Sequence, residues 1–130
     1  MTAVDTNILV RIVVNDNPAQ AARAAEFLRQ QDRVFLAKTV LLEVEWVLRS
    51  GYRLGRSEIV AIFRRLLAMG NAEVEDEAAV VQAMQWYEKG MDFSDSLHVA
   101  SAGSHRSFAT FDAALRKMGQ RLGAGEFIGV

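Results

Sequence analysis

The N-terminal stretch Thr2-Ala3-Val4-Asp5 places a carboxylate at the point where a short apolar strand should stop. It contains neither Pro nor Gly, so a strand opening a parallel sheet is the economical reading, with Ile8 to Val13 turning back over it. Ligands of open α/β sheets bind outside the carboxyl ends of the strands. Asp5 therefore stands where function is expected. A structural reading competes with this one, because an Asp here can cap a helix by accepting N–H bonds from the turn that follows.

The same alternation runs along the chain. Asn17 as N-cap and Pro18 at the first position predict a helix reaching Gln31, with Ala22, Ala25, Phe27 and Leu28 as its apolar stripe. Val34 to Ala37 has the length of a buried strand. Thr39 to Arg49 is too long for one and stops at Ser50-Gly51, which predicts a helix. Ser57 is placed to cap a further helix over Glu58 to Met69, making a helical hairpin with the one before, and Trp46, Tyr52 and Phe63 are its candidate partner anchors or core residues. Ala72 to Glu75 reads as a weak strand, Asp76 as the cap of a helix over Glu77 to Glu88, and Met91 to Gly103 as a helix rich in small residues. Ser107 to Phe111 is a second strand that ends in a carboxylate, Asp112. A short helix over Ala113 to Met118, a loop over Gly119 to Gly125 and an edge strand near Phe127 to Val130 complete the chain.

Composition narrows the chemistry. The 130 residues fit one domain, 1–130, and no apolar run approaches the ~20 residues of a membrane span, so a cytoplasmic protein is expected. Without Cys, a metal could be held only by oxygen or by His98 and His105. The net charge of −1 excludes a protein that coats nucleic acid through bulk charge. Arg49, Arg53, Arg56, Arg64 and Arg65, and again Arg106, Arg116, Lys117 and Arg121, form either a local basic rim or solvated helix faces.

Against that background the acids stand out. Two strands end in Asp5 and Asp112, and two helices bring Glu43 or Glu45 and Asp92 or Asp95. Glu43 and Glu45 are two residues apart, about 200° of helical rotation, so only one can face a given crevice. Asp92 and Asp95 share one side of a first turn, where both could instead serve as cap and dipole partner. Gathered at one sheet edge, such acids would repel and raise each other's pKa unless a cation neutralised them, and Mg²⁺ or Mn²⁺ suits oxygen ligands. That chemistry fits phosphodiester cleavage.

Asp5-Thr6-Asn7-Ile8-Leu9, Leu42-Glu43-Val44-Glu45-Trp46-Val47-Leu48, Asp92-Phe93-Ser94-Asp95-Ser96-Leu97-His98 and Thr110-Phe111-Asp112 resemble, in order and spacing, the four acidic motifs of PIN-domain proteins, and in particular the VapC toxins of type II toxin-antitoxin systems. The resemblance covers essentially the whole chain. It implies a three-layer α/β/α fold with a central parallel sheet and a Mg²⁺- or Mn²⁺-dependent endoribonuclease, acting on RNA, homodimeric, and silenced by a VapB-like antitoxin. Carried over by motif, Asp5, Glu43, Asp95 and Asp112 are the catalytic acids, and Asp5, Asp95 and Asp112 the metal ligands. Asn7, Asp92 and Thr110 are supporting positions, while His98 reads as a satisfied structural histidine. The expected geometry sets Asp5 and Asp112 at the ends of neighbouring strands.

Two other readings stand beside this one. An inactive PIN-like module could bind a partner only, although nothing physical would then maintain the mutually repelling acids. A phosphoaspartyl enzyme also begins with a strand ending in Asp, but would usually want a second Asp where Asn7 stands.

Overall fold

All strand pairing is parallel in the computed structural model of the protein, which describes residues 1–130. Helices fill the connections between the short strands, as parallel pairing requires. The result is the mixed α/β architecture expected. The chain divides into two compact units, Met1–Glu75 and Asp76–Val130.

The first unit runs β1 (Thr2–Ala3), α1 (Thr6–Val14), α2 (Pro18–Gln30), β2 (Val34–Leu36), α3 (Lys38–Ser50), α4 (Arg56–Leu67) and β3 (Ala72–Val74). Its sheet has the order β1-β2-β3, with Thr2 opposite Val34 and Val34 opposite Ala72. Val34 and Leu36 are wholly buried, each worth about 1.5–3 kcal/mol relative to exposure. The segment after Asp5 is a full helix, α1, which ends at Asn15 in the left-handed conformation, φ 58°. Asn17 caps α2 through Gln20 N–H at 3.2 Å, and Pro18 takes its first position, as the sequence implied.

The buried stripe of α2 is rotated from the one expected. Ala21, Ala24 and Leu28 face inward at a spacing of three and four, while Ala22 and Phe27 are exposed. Helix α4 begins at Arg56 with Gly55 as its cap rather than at Ser57, because the Glu58 carboxylate reaches back to accept Gly55 N–H at 3.2 Å. Phe63 is fully buried and belongs to the core rather than to a partner surface. The Tyr52 hydroxyl donates to Asp16 at 2.8 Å and accepts from Arg11 at 3.1 Å, so it ties the α3–α4 connection to α1. Of the three aromatics of the hairpin, Trp46 alone is largely exposed, at 58%.

The second unit runs α5 (Glu77–Glu88), α6 (Phe93–Ala102), β4 (Phe108–Thr110), α7 (Ala113–Arg121) and β5 (Phe127–Gly129). Helices α5 and α6 pack together, and β4 pairs with β5 in the register Phe108 opposite Phe127. Met91, Val99, Leu115 and Phe127 form a core lined by Trp86, Phe108 and Met118. Asp76 precedes α5 in a left-handed conformation, φ 49°, and its side chain does not make the expected capping bond.

Gly119, expected in a loop, lies inside α7. A Cβ there would come within 2.2 Å of the Phe127 ring, so the missing side chain is what lets the helix seat that aromatic. Strands β1 and β4 were expected as neighbours, but they belong to different ladders, one of three strands and one of two. With only two or three residues per strand, a ladder is soon exhausted and the pairing does not extend.

Candidate active site

Asp5, Asp92 and Asp112 are each fixed by the backbone they cap. Asp5 follows β1 and accepts Thr6 N–H through Oδ1 at 2.7 Å. Asp112 follows β4 and accepts Leu115 N–H through Oδ1 at 3.0 Å. Asp92 accepts Asp95 N–H at 3.1 Å and the Ser94 hydroxyl at 2.7 Å, both through Oδ2. The capping reading holds at all three positions. A bond to one oxygen orients the carboxylate, and at Asp5 and Asp112 Oδ2 is not the oxygen engaged.

In the first unit the strands place more than Asp5 at their carboxyl edge. Because β1 and β2 are parallel and in register, the start of α3, just beyond β2, lies at the same edge as Asp5. Glu75, just beyond β3, also arrives there and accepts Lys38 N–H through Oε1 at 2.8 Å, supplying the N-terminal bond of α3 that Ala37 cannot. Sequence reasoning missed Glu75. The available signal was an acid after a strand facing an uncapped helix start, but the pairing spans 37 residues.

The two glutamates of α3 separate as their spacing requires. Glu45 is buried, and its Oε2 accepts Arg49 Nε–H at 2.8 Å. Glu43 is exposed. Of the supporting residues, Thr110 receives Asp112 N–H on its hydroxyl at 2.9 Å and so fixes the turn that carries the acid. Asn7 stands exposed in the first turn of α1, where Thr6 rather than Asn7 bonds to Asp5.

In the second unit Asp92, Asp95 and Asp112 are electrostatically linked. Partial burial raises the Asp95 pKa above its ordinary value, and the negative charges of Asp92 and then Asp112 raise it further. His98 opposes this electrostatically. It is exposed on α6, not the satisfied structural histidine expected. No group of three or more His, Asp or Glu side chains is placed so that it could hold a metal ion. No helix is long and apolar enough to cross a membrane.

The PIN-domain profile matches residues 2–120, a span that includes Asp5, Glu43, Asp92, Asp95 and Asp112. No curated protein and no solved structure matches the chain. The profile covers most of both compact units. Its span agrees with the parallel α/β architecture and with acids at strand ends and helix starts. The chain belongs to the PIN-domain family, whose fold is of the nuclease type.

Proposed function

We propose that this PIN-domain protein is a metal-dependent endoribonuclease and the toxin of a type II toxin-antitoxin pair. The observation that carries the nuclease reading is the PIN-domain match over residues 2–120, a span that holds Asp5, Glu43 and Asp112 and, partly buried near the charges of Asp92 and Asp112, Asp95. Acids arranged at such cost are relieved by a cation. The donor set fits a hard one, since it offers oxygen ligands and the chain has no Cys.

Asp5, Asp95 and Asp112 would hold Mg²⁺ or Mn²⁺. When bound, such a cation supplies an acidified water and stabilises the charge that develops on the phosphate. The chain's own residues supply orientation and proton transfer. The bonds from Thr6 and Leu115 fix two of the carboxylates, and the Thr110 hydroxyl steadies the second. Asp92 holds the first turn of α6 and thereby the backbone of Asp95. Glu43, exposed and outside the proposed ligand set, is assigned to accept the proton of the attacking water on its carboxylate.

A VapB-like antitoxin and a second copy of the chain are the proposed protein partners, by family resemblance. Incubating the purified protein with mixed RNAs in Mg²⁺, Mn²⁺ or chelator tests the activity. Metal-dependent cleavage with internal product ends is expected. A protein that leaves RNA intact in both metals would favour the partner-binding module instead.

A further inference from the structure

The first unit carries a groove of about 500 Å³ between α1 and α2, lined by Asn7, Ile8, Arg11, Gln20, Arg23, Ala24 and Phe27. Its head, Asn7, lies in α1 two residues beyond the N-cap, Asp5. The lining contains two guanidiniums, two amides and no acid. Arg11 is bonded to Asp16 at 3.2 Å, which offsets part of its charge. Arg23 is exposed and makes no ion pair, so it gives the groove its net positive charge. Phe27 is 41% exposed, while Ala21, Ala24 and Leu28 take the inward positions of the same helix.

We propose that this groove is a subsite for single-stranded RNA leading away from Asp5. Arg11 and Arg23 take successive phosphates, a base stacks on the Phe27 ring, and the Asn7 and Gln20 amides meet base or ribose edges. A single strand has unstacked bases to offer an exposed ring, whereas a duplex keeps its base faces within its own stack. A groove with two guanidiniums and two amides among seven lining residues also suits a polyanion better than the apolar face of a protein helix. This inference rests on the nuclease reading and adds where the substrate lies.

The test is fluorescence anisotropy of a labelled, mixed-sequence oligoribonucleotide with the intact protein in chelator, over a series of NaCl concentrations. Arg23→Glu is expected to weaken binding at least about tenfold and to lower the slope of log affinity against log salt by about 0.7 for each phosphate no longer neutralised. Phe27→Ala is expected to weaken it about tenfold with the salt slope unchanged, the signature of a missing stacking partner. Arg65→Glu, on a different helix and outside the groove, should bind as the parent does. Parent affinity in both groove variants would overturn the proposal and leave the groove to a protein partner, and so would a parent that binds no RNA in chelator. A parent that binds through Arg23 and Phe27 but cuts nothing in either metal sinks the nuclease reading alone. Cleavage with unchanged groove variants sinks the groove alone.

Discussion

The carboxylate of Asp92 accepts the backbone N–H of Asp95 at 3.1 Å, so the acid that starts α6 also presses its charge on the next acid along. Burial and these like charges make the folded protein bind the Asp95 proton more tightly than the unfolded chain does. Stability from this group is fully present below the ordinary carboxylate pKa and is lost as pH rises through the raised folded value. At neutral pH Asp95 is thus a liability in the metal-free protein. Asp95→Asn should melt no lower than the parent at pH 7 in chelator, with its relative advantage shrinking toward pH 3. Thermal melts of both proteins over that range check it, and an advantage that grows on acidification would refute the electrostatic account.

Asp5 is both a cap and a proposed ligand. Asparagine retains an oxygen for the Thr6 N–H but carries no charge. Asp5→Asn should therefore keep its metal-free melting temperature, lose RNA cleavage by about 10²-fold or more, and gain less stability from added Mg²⁺ than the parent. Cleavage at the parent rate with the parent's Mg²⁺ response would reduce Asp5 to a cap.

Glu43 and Glu45 should fail in different ways. Glu43→Gln removes the assigned proton acceptor from an exposed position, and cleavage should drop about 10²- to 10⁴-fold with stability unchanged. Glu45→Gln should retain most cleavage but lose about 1–3 kcal/mol of stability, because a buried carboxylate bonded to Arg49 is replaced by a neutral amide. Single-turnover cleavage and urea unfolding separate the two, and exchanged outcomes would mean that the functional face of α3 has been misassigned.

Gly119→Ala offers a test of packing in the second unit. In an open helix the change would stabilise by about 1 kcal/mol, but here the new methyl meets the Phe127 ring at 2.2 Å. Overpacking of about 1–3 kcal/mol should prevail, and the double variant with Phe127→Leu should recover part of the loss. A single variant that unfolds at higher urea than the parent would refute the close approach.

Much of this was legible in the sequence because its causes are local. Strands ending in Asp, the Asn17-Pro18 start and the helix over Glu77 to Glu88 depend on neighbours within a turn or two. The opposed fates of Glu43 and Glu45 follow from helical rotation alone, although which of them would be buried does not. What escaped depends on distant partners. Gly119 is helical because of Phe127, and Glu75 completes α3 from beyond another strand. Phe27 took the outward position because Ala21, Ala24 and Leu28 form an equally regular stripe, and periodicity cannot choose between two such faces. Strand pairing was no more predictable, since segments of two or three residues carry too little pattern to name their neighbours.

The tie from Tyr52 to Arg11 has a consequence for timing. A free arginine samples many rotamers, and a ligand that fixes one must overcome that lost freedom on arrival. Arg11 is already held at Asp16 and at the Tyr52 hydroxyl when the chain has folded. Its immobilisation belongs to the folding equilibrium, so a molecule entering between α1 and α2 meets one arm already set and only Arg23 still to be stilled.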